Sequence, residues 1–222
     1  MNMVPATVMV VAFSAFLQTQ FPQEASPAKN EALRKELLAM EQADQAAREA
    51  MLKEFGKKGI ALTSGKSVTD LGAIKVIADE SAKLSKIDDT HRGRLKAIVE
   101  THGWPGKTLV GEDGAHAAWL LIQHADADPK FQADCLRLME AAPAGEVARK
   151  DIAYLADRVL VGAGKPQKYG TQLGPGFKPL PIEDEEHVDA RRAKLGLPPL
   201  AEYVKAAKAG YEKMSQHQPQ KK

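Results

Sequence analysis

Residues 111–125, GEDGAHAAWLLIQHA, form the most apolar segment with helical spacing in the chain. Trp119 shares one side of such a helix with Ile122, while Leu120 and Leu121 lie on two other sides. A helix with apolar residues around most of its circumference is buried on several sides. The segment therefore predicts a helix enclosed by the rest of the domain.

Helical spacing of apolar residues continues on both sides of this segment. Asp128-Pro129 predicts a helix start, because aspartate caps a first turn and proline fits its first position. We expect helices over residues 31–55, 71–84, 90–102, 129–142, 148–161, 184–195 and 199–214. Residues 162–182 are rich in glycine and proline and lack this spacing. The sequence predicts an all-α fold: one compact multi-helix domain over residues 31–214, with a long N-terminal helix and one long irregular loop.

Composition excludes several classes of protein. The chain has 31 Lys and Arg against 29 Asp and Glu, a net charge of +2. This balance argues against a dedicated nucleic-acid binder, which carries a concentrated basic surface. Cys135 is the single cysteine, so neither an intramolecular disulfide nor a multi-cysteine zinc site can form. Its apolar neighbours predict a buried thiol.

The N-terminus resembles a secretion signal. Residues 4–17 are almost entirely apolar but too few to span a membrane, which takes about 20 residues. We expect a signal peptide at 1–22, a linker at 23–30 and a disordered tail at 215–222. An exported protein, periplasmic or extracellular and without stable membrane insertion after cleavage, follows from this interpretation. The alternative is an uncleaved anchor or a frayed helix start.

The apolar helix also carries polar residues that need partners. His116, Gln123 and His124 lie at its rim or within a polar network, because an unpaired buried group costs about 1–3 kcal/mol. His124 is a candidate general acid or base, and the alternative is a core histidine with a structural partner. His116 and His124 are separated by about 80° and about 12 Å on a helix, too far to share one metal. We expect no metal and no cofactor.

Two further segments supply candidate site residues. Asp157 and Arg158 follow each other on the helix over 148–161, and a guanidinium suits carboxylate or phosphate ligands. The loop after that helix holds Gln167, Tyr169 and Gln172 between glycines. Polar side chains on a loop beside a rigid scaffold commonly form binding sites. The alternatives are a surface salt bridge and a hydrated turn.

Four separated motifs together resemble a known family. They are GWP at 103–105, AAWLLIQH at 117–124, AYLADR at 153–158 and QKYGTQ at 167–172. In this order they resemble a bacterial domain-of-unknown-function family often found behind secretion signals. The resemblance spans residues 84–203 and implies no established activity. It implies a characteristic polar set, namely His124, Asp157, Arg158, Gln167, Tyr169 and Gln172.

Two functional hypotheses follow. The first is a cell-envelope module that binds a small polar or anionic ligand through Gln123, Gln167, Tyr169 and Gln172 with Arg158, or a protein partner through the helix at 31–55. The second is a metal-independent hydrolase or lyase. In it His124 is the acid or base, Asp157 orients His124, and Arg158 with Gln172 stabilises developing negative charge. A purely structural polar core is the third possibility. Each requires these segments to meet in space.

Overall fold

The computed structural model describes residues 28–60 and 70–216. Within these ranges the chain forms seven α-helices: α1 (Glu31–Lys57), α2 (Leu71–His102), α3 (Lys107–Gln123), α4 (Pro129–Ala141), α5 (Arg149–Gly162), α6 (Val188–Ala193) and α7 (Leu200–Gln216). The only β pairing in these ranges consists of the isolated bridges Gln167–Ile182 and Leu173–Pro179. The all-α prediction is confirmed.

Helix α3 lies at the centre of the main core, as its apolar circumference predicts. Leu33 and Leu37 of α1, Leu95 and Ile98 of α2 and Met139 of α4 are buried in the same cluster as the α3 residues. A smaller cluster joins the end of α1 to the start of α2. Helix α1 is therefore part of the core, and α2 and α3 cover its apolar face.

Helix α2 differs from the prediction of two helices, at 71–84 and 90–102. It is continuous over 32 residues. The sequence suggested a break because Asp88 and Asp89 resemble a helix start. Their side chains instead form ion pairs, Asp88 with Arg48 of α1 and Asp89 with Arg92. Neither carboxylate is needed as a cap, so the helix continues.

Helix α3 starts at Lys107, four residues before the predicted start, and contains a kink at Gly111. The Gly111 backbone has φ +74°, a region that favours glycine. A Cβ there would also lie 3.3 Å from the Arg34 side chain of α1. The glycine thus permits both the kink and the close approach of α1.

The predicted signal peptide and most of the predicted linker and tail lie outside the described residues. Lys29 and Asn30, at the end of the linker, donate backbone hydrogen bonds to the carbonyls of Thr108 and Leu109. Helix α7 extends to Gln216, two residues into the predicted tail. No helix in the described part of the chain has the length and apolar character needed to cross a membrane.

Candidate functional site

A buried ion network lies where α1, α2 and the end of α3 meet. Its centre is Asp44 on α1, which is fully buried. Both oxygens of the Asp44 carboxylate accept hydrogen bonds from Arg48 one turn later, at 2.9–3.1 Å. Burial alone would raise the pKa of Asp44, but His124 and Arg48 hold it well below its usual range. Asp44 is therefore a permanent negative charge.

His124 follows α3 directly and faces this carboxylate. Its Nδ1 lies 3.0 Å from Asp44 Oδ1. Because an ionised carboxylate only accepts hydrogen bonds, Nδ1 carries the proton and Nε2 keeps a free lone pair. Burial lowers the pKa of His124 to about 4 in spite of Asp44. The ring is therefore neutral at pH 7 and held in one tautomer.

Helix α2 contributes a second carboxylate. Arg48 Nη2 donates to Asp88 Oδ1 at 2.5 Å while it also bonds Asp44. Burial raises the pKa of Asp88 to about 6, and the negative charges of Asp44 and Asp126 add to the rise. The single positive charge of Arg48 does not balance the negative charges of Asp44 and Asp88.

The other half of the network surrounds Arg158 of α5. Its Nε donates to Gln123 Oε1 at 3.1 Å, and its Nη1 donates to both oxygens of Asp126 at 2.9 Å. Gln132 of α4 also donates to Asp126. Gln123 and His124 are consecutive, so the two halves join at the end of α3.

Three buried nitrogen atoms of this network have no hydrogen-bond partner among the described residues. They are Arg48 Nη1, Gln123 Nε2 and His124 Nε2. His91 Nδ1, on α2 one turn after Asp88, is a fourth. The network thus offers two free donors beside one free acceptor, while Asp88 and Asp126 are only partly buried and lie toward solvent.

The structure gives Asp157 a different role from the one expected. The expected contact with His124 does not occur, because His124 faces Asp44. The Asp157 carboxylate instead accepts hydrogen bonds from the backbone nitrogens of Lys168, Tyr169 and Thr171, at 2.7–3.2 Å, and from the Thr171 hydroxyl. Asp157 therefore fastens the loop to α5.

The loop residues predicted to bind ligand also hold the loop together. The Gln167 side chain accepts from Gln172 N and donates to the carbonyls of Gln172 and Leu180, so both the oxygen and the nitrogen of its amide have partners. Gln172 Nε2 donates to the Thr171 hydroxyl. Tyr169 is half-buried, and its carbonyl accepts from Arg192. The structure thus brings His124, Gln123 and Arg158 together in the ion network. The other predicted site residues have their hydrogen bonds in the loop and to its anchoring residues instead, namely Asp157, Gln167, Tyr169 and Gln172.

His116 does not join the network. It lies two turns before His124 on α3, is half-buried, and its ring packs on Trp119 with centroids 5.0 Å apart.

Family comparison matches almost the whole described chain. A family of unknown function, DUF6624, matches residues 31–214. The chain belongs to this family. No curated protein and no solved structure matches it. The DUF6624 match begins at the first residue of α1, so this helix lies within the family and not mostly outside it, as the narrower resemblance at 84–203 implied.

This DUF6624 chain has one group of donor atoms that could hold a metal ion among its described residues. Asp44, Asp88 and His124 each supply one ligand atom, and these atoms lie within 4.8 Å of one another. The three residues come from three separate elements. Spacing along one helix, the basis for expecting no metal, does not detect such a group.

Sequence reasoning missed Asp44, Arg48, Asp88 and Asp126. A signal for the first two was present in the buried stripe of α1, which runs from Leu37 to Met51. Asp44 and Arg48 continue that stripe at helical spacing, and a charged pair four residues apart on a buried face requires internal partners. Asp88 and Asp126 gave no comparable signal.

Proposed function

We propose that this protein binds a small polar ligand at the ion network of Asp44, Arg48, Gln123, His124 and Arg158. The observation that carries the proposal is the group of free nitrogens on Arg48, Gln123 and His124, all at most 5% exposed. A buried polar group without a partner costs about 1–3 kcal/mol. A ligand oxygen that accepts from Arg48 and Gln123, together with a hydroxyl or amine that donates to His124, removes that cost.

The charge of the network restricts the ligand. Asp44, Asp88 and Asp126 outnumber the two guanidiniums of Arg48 and Arg158, and His124 is neutral at pH 7. A free anion would enter a region that is already negative. A neutral, oxygen-rich molecule fits the network as it stands.

Acid–base catalysis is the second candidate, and the Asp44–His124 pair is the observation that favours it. A carboxylate that accepts a hydrogen bond from Nδ1–H fixes the tautomer and orientation of the ring and leaves Nε2 as the base. In this version of the metal-independent hydrolase or lyase, Asp44 takes the orienting role first given to Asp157. Arg158, which is bound to Asp126, remains close to the base through Gln123.

A protein partner at α1 is compatible only with the polar side of that helix. Leu33, Leu37, Met51 and Phe55 are buried against the rest of the domain. We also propose export to the cell envelope, on the evidence of the apolar residues 4–17. Cell fractionation with N-terminal sequencing tests this: a mature chain that begins between residues 15 and 28 supports export, and an intact chain in the cytosol contradicts it.

Ligand binding is tested by a thermal-shift screen of neutral sugars, polyols, amino acids, dicarboxylic acids and cell-wall fragments. A ligand at about 100 times its Kd adds about 2.7 kcal/mol to the free energy of unfolding. We expect a hit to lose its effect in His124→Gln and Gln123→Met, and to keep it in His102→Gln, an exposed histidine on α2.

Two results would contradict the proposal. One is an equal shift in the His124→Gln and His102→Gln variants, which would move binding to another surface. The other is a screen without hits together with a crystal structure in which ordered water satisfies all three nitrogens. The network would then be a structural polar core.

A further inference from the structure

We infer that a divalent cation binds where Asp88 of α2, Asp44 of α1 and His124 after α3 converge, and that it converts the network into a site for a carboxylate or carbonyl oxygen. The inference rests on the proposed function, because it concerns the same residues. It adds the ion and thereby the chemical class of the ligand.

The geometry of the three side chains is compatible with one ion. Their ligand atoms lie within 4.8 Å of one another. His124 Nδ1 is 3.0 Å from Asp44 Oδ1, and the proton on Nδ1 moves to the free Nε2 when the ion binds Nδ1. An ion with bonds of about 2.1 Å places its ligands roughly 3–4 Å apart. Two carboxylates and an imidazole favour Zn²⁺, Co²⁺, Mn²⁺ or Fe²⁺ over Ca²⁺, which takes oxygen ligands alone.

A cation already lies at this point, namely the Arg48 guanidinium. Arg48 Nη2 is 2.9 Å from Asp44 and 2.5 Å from Asp88. Its Nε also bonds both oxygens of Asp44. An ion that takes Asp88 can therefore displace Nη2 while Nε keeps Arg48 attached to Asp44. Ion binding therefore exchanges Arg48 Nη2 for the ion at the Asp88 carboxylate, and the rest of the network stays in place.

The free Nε2 of His124 is the place for this proton. Nε2 is unpartnered although the side chain is only 2% exposed.

The ion changes what the network can accept. Without it, three carboxylates face two guanidiniums; with it, positive charge is in excess. Arg48 Nη1 and Gln123 Nε2 are then free to donate to an oxygen atom on the ion. A carboxylate or carbonyl ligand satisfies the ion and both donors together.

The test is a titration of the tag-free full-length chain, stripped with EDTA, with Co²⁺. We expect visible absorption bands that saturate at one ion per chain, and a matching heat signal for Zn²⁺. His124→Gln and Asp88→Asn should each weaken binding at least ~100-fold. The matched controls His102→Gln and Asp89→Asn, both exposed on α2, should leave affinity within about twofold.

Arg48→Met gives a result that a purely structural network cannot give. If Arg48 and the ion compete, this variant binds Co²⁺ more tightly than wild type and gains more in melting temperature on Co²⁺ addition. Equal effects of Co²⁺ on both chains would overturn the exchange. Should the variant not fold, the Asp88→Asn and Asp89→Asn pair decides.

The failure of this inference is distinguishable from failure of the proposed function. A chain that shows no Co²⁺ bands but binds a neutral ligand in a His124-dependent way lacks the ion and retains the ligand site. Co²⁺ binding that survives both His124→Gln and Asp88→Asn places the ion elsewhere and overturns the inference. A chain that binds neither Co²⁺ nor any ligand overturns both.

Discussion

Replacement of Asp44 by alanine tests the buried ion network through its stability. The substitution removes the carboxylate that accepts hydrogen bonds from Arg48, His124 and Gln45. Arg48, which is 4% exposed, keeps only Asp88 as a charged partner. Removal of one member of a buried ion pair costs about 3–5 kcal/mol, because the remaining charge stays in a poorly solvated place.

The expected loss is large enough to measure by two methods. For a domain of this size, 1 kcal/mol corresponds to about 2–4 °C, so Asp44→Ala should lower the melting temperature by about 6–20 °C. Urea unfolding at pH 7, followed by circular dichroism, gives the free energy itself. The control is Glu49→Ala, which removes an exposed ion pair with Lys53 on the same helix and should cost less than about 1 kcal/mol. A loss in Asp44→Ala no larger than in the control would refute the reasoning.

Two further predictions concern the loop and the thiol. Asp157→Ala leaves the Lys168, Tyr169 and Thr171 donors without a charged acceptor, so we expect a loss of about 3 kcal/mol and faster tryptic cleavage after Lys168. Unchanged cleavage would show that the loop is held by other contacts. Burial raises the pKa of the Cys135 thiol to about 12, so the native chain should not react with a thiol-specific dye until urea unfolds it, and rapid labelling of the folded chain would contradict its buried position.

The fold could be predicted where the residues of a single helix indicate that helix by themselves. The apolar circumference of 111–125 indicated a central helix, and Asp128 caps α4 through Phe131 N as its sequence suggested. The break at Asp88 and Asp89 was wrong because a local rule for helix starts cannot detect Arg48, 40 residues earlier in the chain. Ion pairs between residues far apart in the chain determine whether a helix continues at such positions. The spacing of residues along the sequence does not reveal these pairs.

The candidate site was predictable only in part, for a geometric reason. Consecutive residues on a helix point about 100° apart, so Asp157 and Arg158 cannot face one partner. Arg158 turns to Gln123 and Asp126, and Asp157 turns to the loop. Treating the two as a unit assigned Asp157 to the wrong neighbour. The true partner of His124 lies 80 residues away on α1.

Nitrogen-15 NMR of His124 tests the central claim most directly, namely that burial keeps this ring neutral while Asp44 holds its proton on Nδ1 and leaves Nε2 free. The pKa of His124 falls from an unfolded value of about 6.5 to about 4. A lowered histidine pKa gives stability that is present above pH 6.5 and is lost as pH falls toward 4. With the signal assigned by its loss in His124→Gln, we expect the EDTA-stripped chain to show a protonated Nδ1 and a bare Nε2 at pH 7, unchanged down to about pH 5. A proton on Nε2, or titration near pH 6.5, would contradict the account.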